Sequence, residues 1–217
     1  MQPVVGICAP RLTVQEATET LREQVRNAFI TYLYIVDGQN RLLGLVVMRE
    51  MLLAVAGRGA FTPLWSERIL EEWARAAAKL GPGQEALARG EIATLEADWP
   101  RASFRPKDGD MSRLSLPDPG DVHVLASAIA SSADVLMTLN IKDFPRQMLG
   151  HEGLVLASPD PFLLGLYEEA PEAVETVARA VLDEAIRLSG EDWTIRKLMK
   201  KARLPRLGKA LEASGKF

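Results

Sequence analysis

An α/β fold, with parallel strands lying between helices and a helical tail behind them, is the architecture this sequence predicts. Three observations carry it. Helix and strand patterns alternate over residues 121 to 157 in the order helix, strand, helix, strand, which suits a parallel sheet with crossover helices. The two strand segments, Asp134–Thr138 and Gly153–Ala157, are short apolar runs. After Pro159-Asp-Pro161 every pattern is helical.

The elements read in order as follows. Thr13-Val-Gln-Glu16 is a capping box, a hydroxyl for one orphan amide and a Glu three residues on, and opens a helix to about Asn27. Tyr32–Val36 reads as a strand, Asp37-Gly38 begins a turn, and Leu42–Val47 is the returning strand of a hairpin. Arg49–Gly57 is a short amphipathic helix stopped by glycine, and Phe61–Leu64 is extended. Ser66 caps a helix to about Lys79 that ends in Gly81-Pro82-Gly83, and a second helix covers Gln84–Asp98. Residues 100 to 120 are rich in Pro, Gly, Asp and Ser and read as loop. Asp121–Ser131 is a helix of small residues that can pack tightly on a sheet. A short helix near Pro145–Leu149 separates the two apolar strands, and helices follow at about 162–169, 171–189 and 192–202.

Composition narrows the function classes. With 47% hydrophobic and 25% charged residues, the 217-residue chain suits a soluble globular protein whose core forms without staples. The single cysteine, Cys8, excludes an intrachain disulfide and a CxxC metal site and fits a reducing cytoplasm. The N-terminus lacks a signal-peptide pattern and no apolar run is long enough for a membrane span. A net charge of −3 argues against a non-specific nucleic-acid coat. The C-terminal stretch is different: from Glu191 to Phe217 there are eight Lys or Arg against three acids. It reads either as a solvated helix face or as a patch for phosphates, with Arg196, Lys197, Lys200 and Lys201 as the candidate contacts.

The chemistry-bearing stretch is Leu116-Pro-Asp118-Pro-Gly-Asp121-Val-His123, followed by Asp134-Val-Leu-Met-Thr138-Leu-Asn140-Ile-Lys-Asp143. Asp121 opens a helix, and Asn140 and Asp143 follow directly after a buried strand. Ligands of open α/β sheets bind at the carboxyl ends of strands. Oxygen ligands gathered there suit a hard cation such as Mg²⁺ or Mn²⁺. The same residues also fit plainer roles: Asp118 and Asp121 as turn and N-cap residues, and Asp143 as the cap of the next helix.

The run from Leu116 to Pro145 resembles the C-terminal half of PIN domains, in the branch with a helical C-terminal extension. Phe61-Thr-Pro-Leu-Trp-Ser-Glu-Arg-Ile-Leu-Glu-Glu72-Trp73 resembles the same branch, as do Pro159-Asp-Pro-Phe-Leu-Leu164 and Leu204-Pro-Arg206. The resemblance covers roughly residues 48 to 212. It implies a PIN-like parallel sheet flanked by helices, with acids converging on Mg²⁺ or Mn²⁺. It further implies a metal-dependent endoribonuclease, the toxin half of a toxin–antitoxin pair of the VapC type. An RNA substrate, a cognate antitoxin and a homodimer are the partners implied. Carried over, Glu72 is the acid of the second helix, Asp121 the helix-opening acid with Asp118 beside it, and Asn140 and Asp143 the polar pair after the strand. Catalysis falls to Glu72, Asp121 and Asp143, with Thr138 orienting the cluster. His123, two residues beyond Asp121, is expected on the helix flank rather than at the metal. The family usually has Arg where Val122 stands.

The first family acid has no clear counterpart. Counting back from Arg49-Glu50 reaches Gln39, and the nearest aspartate is Asp37. Two arrangements compete. In one, Asp37 is the fourth catalytic acid and an insertion follows it. In the other, residues 1–55 belong to a separate segment. Arg11 to Ala17 and then Tyr34 to Leu52 resemble one CBS motif, a regulatory nucleotide-binding module similar to those of MgtE-type magnesium channels. Leu43-Gly-Leu-Val-Val47 would then supply the first sheet strand. The expected organisation is a CBS-like β-α-β segment at 1–47, a PIN-like nuclease domain at 48–160 and a helical C-terminal extension at 161–217. The alternatives to a nuclease are a catalytically incomplete PIN-like protein that binds RNA or antitoxin, and an adenine-nucleotide sensor.

Overall fold

The computed structural model describes residues 48–217 except 80, 107 and 191, together with the backbone of Ile35–Val36 and Leu42–Gly44. The side chains of 188 and 189 are not described. The expected Thr13 capping box, Asp37 and its turn, and nearly all of the CBS-like segment lie outside the described residues. Strands β1 (Ile35–Val36) and β2 (Leu42–Gly44) pair antiparallel, the hairpin that the sequence predicts. Next comes helix α1 (Met48–Gly57), whose Met48, Met51 and Val55 are buried at helical spacing.

Strand β3 (Trp65–Ser66) leads straight into α2 (Glu67–Ala78). The N-cap is Ser66, whose hydroxyl accepts the backbone N–H of Ile69 at 3.1 Å, a bond worth about 1 kcal/mol. Helix α3 (Gln84–Asp98) returns along α2. Gly81 and Gly83, both at positive φ, make the turn between them. The two helices share a small core of Leu70, Trp73, Ala77 and Ala88.

The stretch expected to be loop holds two short elements. Strand β4 (Ser103–Phe104) pairs parallel with β3, and α4 covers Asp108–Arg113. Neither follows from local pattern. A partner almost forty residues away makes β4 a strand, and α4 is tied to the next layer by Arg113, which donates to Glu152 at 2.6 and 2.9 Å.

A short 3-10 turn, Pro119–Asp121, precedes α5 (Val122–Ala130). Strand β5 (Val135–Met137), a 3-10 turn at Ile141–Asp143, α6 (Arg146–His151) and strand β6 (Val155–Ala157) follow. β5 and β6 are parallel, in register Val135↔Val155 to Met137↔Ala157. Leu125 of α5, Leu136, Leu149 and Leu156 form their core. The expected order of helix, strand, helix, strand is therefore present. Among the described residues, however, the strands form three two-stranded sheets rather than one continuous sheet.

The remainder is helical: α7 (Pro159–Glu169), α8 (Pro171–Ser189), α9 (Ile195–Lys201) and α10 (Pro205–Ala213). Their apolar faces bury Leu163, Val174, Val177, Leu198, Met199, Leu204, Leu207 and Leu211 against Met51 and Val55 of α1. Asp160 near the start of α7 reaches the start of α10. Its carboxylate accepts from the backbone amides of Arg206 and Leu207 at 3.0 to 3.2 Å. No helix among the described residues is long and apolar enough to cross a membrane.

Candidate metal centre

Asp118, Asp121 and Asp143 come together beside the carboxyl end of β5, each offering a ligand oxygen, and those oxygens all lie within 4.8 Å of one another. Local chain geometry delivers two of the three. Asp118 turns the chain: its Oδ1 accepts the backbone N–H of Gly120 at 2.7 Å. A Cβ at Gly120 would stand 2.9 Å from Asp118 Oδ1, so a side chain there would make that carboxylate shift. Asp121 then ends the 3-10 turn and precedes α5, and its side chain makes no capping bond. Asp143 arrives from β5. The Thr138 hydroxyl accepts the backbone N–H of Asn140 at 3.0 Å, and the Asn140 side-chain amide donates to Asp143 Oδ2. Thr138 and Asn140 thus both shape the loop that carries Asp143. The alternative role of Asp143 as the cap of α6 is not what the geometry shows, because Pro145 stands at that cap.

Asp121 is the electrostatic centre. It is buried, and its Oδ2 has no hydrogen-bond partner among the described residues. Its carboxyl is pushed up from the usual value to about 6, first by burial and then by the charges of Asp118, Asp143 and Glu72. A buried carboxylate oxygen without a donor, among other carboxylates, is costly until a cation arrives. The donor set is all oxygen, which fits a divalent cation of the Mg²⁺ or Mn²⁺ kind.

Glu72 belongs to the surroundings of this trio and not to the 4.8 Å group itself. It is half exposed on α2, and its Oε1 accepts from Arg68 Nε at 2.8 Å. The same oxygen lies 3.4 Å from His123 Nε2. His123 is buried, and its Nδ1 lies 3.2 Å from Ser66 Oγ. Burial outweighs the neighbouring Glu72 and holds the imidazole below its ordinary pKa. The expected flank position of His123 thus proves to be an interior contact with β3 and α2. Sequence reading missed Ser66 as a neighbour of the site and treated it only as a cap. The available signal was a histidine on the first turn of a helix built from small apolar residues.

The candidate phosphate contacts Arg196, Lys197, Lys200 and Lys201 all lie on α9. Arg196, Lys197 and Lys200 are exposed; Arg196 pairs with Glu212 at 2.7 Å, and the Lys201 ammonium sits 4.9 Å from the Trp193 ring centroid.

Comparisons with known proteins find similarity over part of the chain. A family model described as a PIN domain matches residues 44–142. That stretch holds Glu72, Asp118, Asp121, Thr138 and Asn140 and stops one residue short of Asp143. The chain is also similar to the Mycobacterium tuberculosis protein named "Putative ribonuclease VapC50", with 46% identity over 57 residues, 25% of this chain and 34% of that one. The chain therefore spans about a third of that curated relative's length. No solved structure matches. The family match thus covers the stretch that carries Glu72, Asp118 and Asp121, and Asp118, Asp121 and Asp143 together could hold a metal ion.

Proposed function

We propose that this protein is a metal-dependent endoribonuclease, the toxin component of a toxin–antitoxin pair, acting on RNA phosphodiesters in the cytoplasm. The observation that supports the reading is the convergence of Asp118, Asp121 and Asp143 around a buried oxygen that has no donor among the described residues. In this reading residues 48–160 are the nuclease unit and residues 161–217 its helical extension. Residues 1–47 form an N-terminal segment from which Asp37 is the candidate fourth acid. A cognate antitoxin and a second copy of the chain are the expected protein partners.

Asp118, Asp121 and Asp143 would hold the cation, with Glu72 beside them. When bound there, Mg²⁺ or Mn²⁺ supplies positive charge that polarises a phosphodiester oxygen and acidifies water. The chain's own groups prepare the place. Gly120 leaves room for the Asp118 turn, Asn140 fixes the rotation of Asp143, and Thr138 fixes the backbone from which Asn140 extends. Such preorganised oxygens need little rearrangement when charge develops in the transition state. Arg196, Lys197, Lys200 and Lys201 would meet RNA phosphates, a contribution that weakens as salt rises.

The test is cleavage of a mixed pool of tRNA and structured RNA, with Mn²⁺ against EDTA and wild type against Asp121→Asn. Cutting that needs the metal and vanishes in the variant is expected. Folded wild-type protein that cuts no more than the variant would overturn the enzyme reading in favour of a PIN-like binding protein.

A further inference from the structure

His123 stands outside the acidic trio yet is more buried than any member of it, with 2% of the residue exposed against 9% for Asp121. An imidazole taken out of water needs partners for both ring nitrogens. It has them in Ser66 and Glu72. The Ser66 hydroxyl oxygen already accepts the amide of Ile69, so its own hydrogen is available to the ring. Nδ1 is then the acceptor, and Nε2 carries the hydrogen and turns it toward Glu72 Oε1, 3.4 Å away. The opposite tautomer would set the Nε2 lone pair against a carboxylate. One side chain thereby joins three elements: Ser66 ends β3, Glu72 lies midway along α2, and His123 is on the first turn of α5, two residues after Asp121.

Among the described residues Glu72 has one other tie, to Arg68. That is an exposed pair one helical turn apart, a type that restrains a side chain weakly. The buried ring is the contact that reaches Glu72 from another element, α5. The ring and Arg68 both face Glu72 Oε1, and Oε2 has no hydrogen-bond partner among the described residues.

We propose that His123 is a positioning residue that holds the Glu72 carboxylate at a set distance from Asp121, so that Glu72 completes the metal site. Ser66 is the outer link, fixing the rotation of the ring. The proposal rests on the nuclease reading above and assigns it a part that the acids alone do not fill.

The experiment is Mn²⁺ binding to the full chain by calorimetry, for wild type, His123→Ala, His123→Gln, Glu72→Gln and the double variant His123→Ala with Glu72→Gln. Thermal melts establish that each is folded. Loss of the ring should weaken Mn²⁺ binding by roughly 10-fold or more, the usual effect of removing a residue that orients a metal ligand. Gln places an amide N–H near the Nε2 position and should restore most of the affinity. On the Glu72→Gln background, removal of the ring should cost nothing further. Imidazole ¹⁵N chemical shifts of wild type add a reading that does not depend on the alanine variant folding, and should report the neutral Nε2–H form. An Nδ1–H ring, an unaltered affinity in folded His123→Ala, or effects that simply add would each overturn the proposal. Wild type that binds no Mn²⁺ would overturn the nuclease reading along with it, whereas normal binding with an indifferent His123 would overturn this proposal alone.

Discussion

Asp121→Asn should make the metal-free protein more stable while it removes activity. In the folded chain the Asp121 carboxyl is raised from 3.8 to about 6. Between those values the native state binds more protons than the unfolded chain. Stability contributed by this group is therefore fully present below about pH 4 and is lost as pH rises toward about pH 6. A shift of this size would be worth about 3 kcal/mol at full weight, and solvent screening of the neighbouring exposed acids brings it to about 1–2 kcal/mol. Asn has the same shape and no charge, and its amide can donate to Asp118 or Asp143. In EDTA near neutral pH the variant should thus gain about 1–2 kcal/mol, roughly 3–6 °C in Tm for a chain of this length. Near pH 4 the two proteins should unfold alike. Urea unfolding followed by circular dichroism, in EDTA at both pH values, measures this directly. A variant that is destabilised at neutral pH, or whose difference from wild type is the same at both pH values, would refute the view of Asp121 as a buried, repelled carboxylate.

Three further outcomes are expected. Gly120→Ala sets a methyl group 2.9 Å from Asp118 Oδ1 and should push that carboxylate out of the trio, so Mn²⁺ affinity should fall several-fold with little loss in Tm; calorimetry beside a melt separates the two. Gly208→Ala brings a Cβ to 2.7 Å from Met199 Cβ in the core between α9 and α10, and should cost about 1–3 kcal/mol by urea unfolding with no effect on Mn²⁺ binding. Ending the chain at residue 160 strips Leu163, Val174 and Val177 from Met51 and Val55. At about 1.5–3 kcal/mol for each buried aliphatic side chain, the truncated protein should lose its cooperative melt; a sharp transition near the full-length Tm would show that residues 48–160 fold alone.

Much of the local structure was legible in the residues. Ser66 announces α2 because a hydroxyl at that position can meet an orphan amide, and α3 runs over the expected Gln84–Asp98 because glycines bound its start. The hairpin of β1 and β2 and the alternation through β6 follow from the same short-range rules. Asp118 and Asp121 are three residues apart in a turn, and Asp143 follows a strand, so the acidic cluster itself could be anticipated. Asp37 lies outside the described residues and stays a proposal. What only the tertiary structure decided is how distant segments meet. β4 exists because β3 lies beside it, α1 is covered by the tail helices, and Ser66 finds His123 across 57 residues. Periodicity and capping act over one helical turn or one strand and therefore leave a mark in sequence. A contact between far segments is set by packing of whole faces, so the residues that form it, Ser66 and His123 among them, look locally like an ordinary cap and an ordinary helix residue.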